Sequence, residues 1–385
     1  MKILIVRTFP GRLDPKAYNV QETGLAKALV RAGHSCGIVF YNGRSPSEEE
    51  RMPEGYTVYR MQGRNFLKNG IMPGIDELCR DYDVVQVHEY DQIQSWRLYA
   101  GRSGIPAVIY HGPYYDAFNR GYNLKCAAFD RLYLPRGRKG WQNTPCLAKS
   151  PQAADFLRTK GFRNVVPVGV GLDTSPFGTE GTALRAPRGS GTVEILYAGK
   201  IEARRNTLFL AEVLKKVAAG SRDVHFTIVG KGEGKYAEEA GEALRPLEEK
   251  GVLTRRASVP QEEMGALYRS TDIFLFPSNY EIFGMVLLEA MYFGCAVVSS
   301  CNGGASTLIG DGGNGIVLKD FDAAVWAEQV LALAADPERR NAMSAAAQAE
   351  IREHFTWDAL APVFLETYRE AAGGKAPDAG PSSPR

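Results

Sequence analysis

Short β-branched runs alternate with helix-periodic stretches along most of this chain, and they do so in two separate series. Such alternation commits a chain to a largely parallel sheet covered by helices, because neighbouring parallel strands need a crossover between them. In the first series the expected strands are residues 2–7, 35–40, 84–88, 107–110 and 164–167. Between the first two, Leu25, Ala28, Leu29 and Ala32 fall on one helical face and Gly33 supplies a stop. Residues 179–192 lose all periodicity and read as a linker rich in Gly, Pro and small polar residues. The alternation then resumes with strands at 193–197, 224–229, 273–276 and 296–299 and a helix over 208–218. The last helices run from about 323 to 368, and residues 373–385 read as a disordered tail.

A chain of 385 residues exceeds one ordinary core, and two α/β domains fit it. The expected architecture is therefore two Rossmann-like, doubly wound parallel-sheet domains, 1–178 and 193–355, facing each other across a cleft. Basic and acidic residues number 46 and 44, a net charge of +2, so bulk electrostatics does not point to nucleic acid. The six cysteines are scattered, with no CxxC pair and no His cluster at metal spacing, as in a reducing cytoplasm. The opening "MKILIVRTF" reads as a first strand and not as a secretory leader. The longest apolar stretch, 282–298, is broken by Gly284, Glu289 and Gly294, which argues against a membrane span.

Chemistry concentrates in "PSNYEIFGMVLLEAMYFGCAVVSS", residues 277–300. Glu281 sits in the turn after an apolar strand, and Glu289 lies inside the following helix, among Leu287, Leu288, Ala290 and Met291. A carboxylate in that company needs a partner, and vicinal ribose hydroxyls would serve. Gly284 opens the helix, so the N–H groups of its first turn are available to a phosphate. Upstream, Gly199 ends a strand with Lys200 and Arg205 close behind, two cations suited to a diphosphate. Gly230, Lys231 and Gly232 form a third strand-ending turn. Open α/β sheets bind their ligands at such carboxyl ends.

At these residues the chain resembles glycosyltransferase family 4, the retaining group-1 enzymes of the GT-B fold. Glu281 and Glu289 match its E-x7-E motif, and Asn302–Gly304 match the "NGG" that follows. Lys200 and Arg205 fall on its phosphate-binding Arg/Lys pair, with lysine in the place of the commoner arginine. "VGLDTSPF", the strand ends carrying His88 and His111, and the closing Phe-x-Trp helix extend the likeness over nearly the whole chain. Two positions depart from the pattern. The first loop has Asn19, Val20 and Gln21 where a Gly-Gly pair is usual, and Thr307 stands where Glu is common.

The resemblance implies a nucleotide diphosphate sugar donor, most commonly a UDP-sugar, and a hydroxyl acceptor on a glycan, glycolipid or natural product. Lys200 and Arg205 would stabilise the leaving diphosphate, Glu281 would hold a hydroxyl of the transferred sugar, and His111 would lie near that sugar. Glu289, Gly199, Gly230, Lys231, Ile282, Phe283, Gly284, Met285 and Val286 would bind the donor. Asn19, Gln21 and His88 belong to the acceptor side, or serve only as helix and strand caps. Neither a metal nor a cofactor is expected, since no DxD-type carboxylate pair is placed for one. The C-terminal helix, about 356–372, would pack back on the first domain.

Other readings stay open at this level. A non-catalytic nucleotide-sugar binding protein or a nucleotide-sugar epimerase of the same fold would share these residues. A dinucleotide-dependent oxidoreductase is disfavoured, because no G-x-G-x-x-G follows the first strand. Residues 118–141 interleave aromatics with Arg120, Lys125, Arg131, Arg136, Arg138 and Lys139. That stretch is either a solvated basic face or a peripheral contact with anionic membrane lipid or a lipid-linked acceptor. The expected setting is the cytoplasm, and no motif bears on oligomeric state.

Overall fold

The computed structural model describes residues 1–18, 20–101, 104–177, 184–189, 191–310 and 312–373. The chain divides into two compact units, Met1–Gly171 together with the segment from Trp357 onward, and Leu172–Thr356.

Among the described residues the first unit carries the strands β1 (Lys2–Val6), β2 (Ser35–Tyr41), β3 (Glu48–Arg51), β4 (Thr57–Met61), β5 (Arg64–Phe66), β6 (Asn69–Ile71), β7 (Val84–His88), β8 (Ala107–His111), β9 (Cys146–Ala148) and β10 (Val165–Pro167). Its main sheet runs β10-β9-β8-β7-β1-β2-β4-β3. All pairs are parallel except β3 against β4, and β5 pairs with β6 as a separate hairpin. The strand order reverses at β1, which lies between β2 and β7. Strands β1, β7 and β8 are closed to solvent along nearly their whole length, as sheets covered on both faces require.

The helix Trp357–Ala371 belongs to this unit. Trp357 packs directly on the backbone of Gly24 and Gly171, where any added methyl would collide with its indole. Arg31 pairs with Asp358 at 2.7 Å, and the Tyr368 hydroxyl donates to Gln86 at 2.6 Å.

The second unit carries β11 (Val193–Ala198), β12 (Val224–Val229), β13 (Leu253–Arg256), β14 (Ile273–Phe276), β15 (Ala296–Ser300) and β16 (Ile316–Leu318) in the order β13-β12-β11-β14-β15-β16. Every pairing is parallel, and the order reverses between β11 and β14. Ile195, Tyr197, Phe226, Leu275 and Val298 meet the helix residues Leu210, Leu214 and Trp326 in its core.

The stretch expected as a linker is not free over its described part. Arg185 and Arg188 reach the buried Asp272 at 2.9 and 3.3 Å, and the Arg185 amide donates to Gln348. A buried carboxylate needs cations beside it, and two of them come from this stretch, which fastens it to the second unit. Residues 178–183 and 190 of that region lie outside the described residues, as does the tail beyond 373.

Candidate active site

In the second unit, four of the expected segments meet at the carboxyl ends of β11, β12, β14 and β15. The turns after β11 and β12 run side by side, since Gly199 N–H donates to Val229 O at 2.9 Å and Ile201 N–H to Lys231 O at 2.8 Å. Gly230 is obligatory here, because a Cβ on it would run into the Gly199 carbonyl. Lys200 and Lys231 therefore project from adjacent turns, and both are exposed.

The loop after β14 is pinned to the 203–205 turn: Asn279 N–H donates to Arg204 O at 2.9 Å, and its side chain donates to Ala203 O. This brings Arg205 against Glu281 in an ion pair, with Ser278 Oγ 3.4 Å from the guanidinium and the Phe276 ring 5.9 Å beneath it. Glu281 is buried. Burial, and then the neighbouring Arg204, draw the Arg205 pKa down from its ordinary value.

Gly284 starts the helix Met285–Tyr292 at φ +81°, a left-handed conformation that favours glycine. Ile282, Met285 and Val286 are half-buried around the helix start, and Phe283 is buried. Behind them Gly303 and Gly304 lie flush against the carbonyls of Ile282 and Phe283, with no room for a Cβ. Asn302 holds that turn, its Oδ1 accepting from the Gly304 and Ala305 amides at 3.1 Å each. The "NGG" element is thus the backing of the Glu281–Gly284 loop. Glu289 is buried, and the Tyr268 hydroxyl donates to its carboxylate at 3.0 Å.

The first unit places its residues differently. His88 is buried with both ring nitrogens engaged, Nε2 by Gln86 at 3.1 Å and Nδ1 by Glu22 at 3.2 Å, and Arg7 pairs with Glu22 at 2.8 Å. Because Tyr368 donates to Gln86 Oε1, the Gln86 amide donates to His88 Nε2, which puts the imidazole proton on Nδ1 toward Glu22. Burial takes the His88 pKa down to about 4 despite Glu22. His88 is therefore a neutral, internally satisfied residue, which explains its strand-end place without a ligand.

His111 is also closed to solvent, its ring stacked on Phe156 at 5.5 Å and edge-on to Tyr90 at 5.2 Å. The residue that stays partly open at this strand end is Glu89, 2.6 Å from His111 Nδ1. Val20 occupies the N-cap of the helix Gln21–Arg31, and among the described residues no side chain caps it. Gln21 is half-buried, and Asn19 lies outside the described residues.

Among the described residues, Glu89, Asp91 and His111 bring ligand atoms within 4.8 Å of one another, as a metal site would. Lys125 lies 2.9 Å from Asp91 and Lys149 lies 3.5 Å from Glu89, so a cation there would face two ammonium groups. This pairing also turns Lys125 inward, which removes it from the basic face expected over 118–141.

Comparison with known proteins decides what the chain is. Residues 185–350 match glycosyl transferases group 1. Over 94% of its length the chain is 31% identical to a D-inositol 3-phosphate glycosyltransferase of Xylanimonas cellulosilytica, of which 93% is covered. The chain belongs to the group-1 glycosyltransferases, family 4. It is also 25% identical to a GDP-mannose-dependent alpha-mannosyltransferase of Corynebacterium glutamicum, over 95% of this chain and 90% of that one.

Its fold is that of sucrose-phosphate synthase from Thermosynechococcus elongatus, with TM-score 0.70 at 17% identity, covering 96% of this chain and 99% of that one. Anabaena HepE, solved in complex with UDP-glucose, gives 0.66 at 16% identity over 96% and 100% of the two chains. The protein is accordingly a GT-B glycosyltransferase, an enzyme that uses nucleotide-sugar donors. No helix among the described residues is long and apolar enough to cross a membrane.

What sequence reasoning missed is mostly long-range. Tyr268 and Ser278 approach Glu289 and Arg205 only through the fold, and Glu22 reaches His88 across two elements. For Glu89 a local signal existed, since it directly follows His88 at the end of a strand.

Proposed function

We propose that the enzyme transfers a sugar from a UDP-sugar to an acceptor hydroxyl with retention of configuration, without metal or cofactor. The observation that carries this reading is the meeting of Arg205, Glu281, the exposed Lys200 and the helix start at Met285 on one sheet edge, above the buried Glu289. Glu289 accepts from the ribose hydroxyls, and the first-turn N–H groups of Met285 and Val286 receive phosphate. Lys200, Lys231 and Arg205 hold the diphosphate, and Glu281 accepts from a hydroxyl of the transferred sugar.

In the reaction the bond from C1 to the β-phosphate oxygen breaks while the acceptor oxygen attacks C1 from the same face. The acceptor proton passes to the leaving phosphate. Cations preorganised on that diphosphate stabilise the charge it gains, the largest contribution such a site can make. The first unit holds the acceptor, and a polyol such as the inositol phosphate named for the Xylanimonas relative is the first to try.

The face around Arg120–Leu132 supports peripheral contact with anionic lipid. Phe118, Leu124 and Leu132 are 49%, 76% and 52% exposed, beside the exposed Arg120, Arg131, Arg136, Arg138 and Lys139. Failure to pellet with anionic liposomes at low salt would remove that element alone.

A thermal-shift screen against nucleotide diphosphates and their sugars tests the donor site. A ligand at a hundred times its dissociation constant stabilises the fold by about 2.7 kcal/mol. The shift is expected with UDP and UDP-sugars and is lost in Glu289→Ala and Lys200→Ala. A shift with GDP alone would move the donor to GDP-mannose, and an inverted product anomer by NMR would sink retention.

A further inference from the structure

We propose that Glu89 is a substrate-binding residue whose carboxylate recognises the hydroxyl groups of a polyhydroxylated acceptor. This rests on the reading above that the first unit is the acceptor side.

The topology puts Glu89 where ligands bind. It is the first residue after β7, and β7 and β1 are the strands at which the sheet order reverses. In open α/β sheets the crevice outside the carboxyl ends of such a strand pair is the ligand site.

The backbone there is held in an unfavourable state. Glu89 has φ +63°, in the left-handed region that side-chain-bearing residues avoid at a cost of order 1–3 kcal/mol. Glycine would take this conformation freely, and the chain carries glutamate instead.

Side-chain contacts then fix where the carboxylate can act. Oε2 lies 2.6 Å from His111 Nδ1 and accepts from the Gly112 amide at 3.2 Å, while Oε1 has a longer 3.5 Å contact with Lys149. Burial pushes its pKa up, but Lys149, His111 and the Gly112 amide outweigh this and hold the group well below the usual carboxylate range. An ionised carboxylate accepts at about four positions and donates at none, so Oε1 keeps capacity for a hydroxyl donor. With 22% of its side chain exposed, Glu89 remains reachable, whereas the His111 ring is not. In this reading His111 is the buried group that aims Glu89, and Glu89 meets the ligand.

Saturation-transfer NMR on the full chain, with myo-inositol, D-inositol 3-phosphate and a set of free hexoses as probes, tests this without turnover. At least one polyol should bind the wild type. Glu89→Gln should weaken it by about tenfold or more, the loss of a charge-assisted hydrogen bond, and Glu89→Asp should retain more binding than Glu89→Gln. Glu89→Gly, which suits the backbone, should keep the fold by thermal midpoint yet lose polyol binding. Wild-type polyol affinity retained in both the Gln and the Gly variants, or no polyol binding by the wild type, overturns the proposal. Nucleotide binding by the same preparations is read in parallel. Its absence from the wild type would count against the donor reading, and its presence with unaltered polyol binding would count against Glu89 alone.

Discussion

The Tyr268 hydroxyl donates to the buried Glu289 carboxylate at 3.0 Å, joining the end of one helix to the second turn of another twenty-one residues on. A carboxylate among Leu287, Leu288 and Met291 is tolerated only with such partners. Tyr268→Phe removes the donor while keeping the ring. We expect a stability loss of about 1–3 kcal/mol by urea unfolding, with nucleotide affinity falling several-fold as Glu289 loses its fixed orientation. Lowered stability with unchanged nucleotide affinity would make Glu289 a structural residue.

Arg205 is held between the Glu281 carboxylate, Ser278 Oγ at 3.4 Å and the Phe276 ring. A planar guanidinium fits such a slot and lysine does not. Arg205→Lys should lower kcat by about a hundredfold or more, the scale of a lost transition-state donor, with a smaller change in donor KM. Because Arg205 and Glu281 touch, the double variant Arg205→Ala with Glu281→Gln should be less impaired than the product of the two single effects. Independent, multiplying effects measured by steady-state kinetics would separate the two roles.

Gly304 offers a backbone test of the same loop. A Cβ there would collide with the Phe283 carbonyl, so Gly304→Ala must displace the Glu281–Gly284 segment. Overpacking of this kind costs about 1–3 kcal/mol, and nucleotide binding should fall with it. Gly310→Ala, where a Cβ meets open space, is the matched control and should leave the thermal midpoint and nucleotide affinity unchanged.

These residues also show how far the sequence reads through to the fold. The central strands β1, β11 and β14 announce themselves as largely apolar runs because both their faces are covered. The peripheral strands do not: β3 reads Glu-Glu-Glu-Arg and β13 reads Leu-Thr-Arg-Arg, and sheet pairing overrides their polar composition. In the second unit the carboxylates and cations were legible because they cluster at strand ends within short segments.

The histidines of the first unit were not legible in the same way. Whether a strand-end imidazole faces a ligand depends on distant residues such as Glu22, Gln86 and Phe156, which no local spacing reveals.

His88 and Glu22 make the fold acid-sensitive. Burial lowers the His88 pKa from the usual 6.5 to about 4, so across that window the unfolded chain binds a proton that the folded chain refuses. Stability therefore falls as the pH falls through it. Glu22 acts in the same direction at lower pH. Burial would raise its pKa, but His88 and Arg7 outweigh this and take it from 4.5 to about 2, so its contribution is present above 4.5 and lost below. Between about pH 7 and pH 5 the unfolding free energy should drop by about 1–3 kcal/mol, nearly all of it from His88. Denaturant unfolding of the wild type and of His88→Gln at the two pH values measures this. The variant has no imidazole to titrate and should lose distinctly less stability on acidification. An equal loss in both would place the acid sensitivity elsewhere and make His88 protonated within the fold.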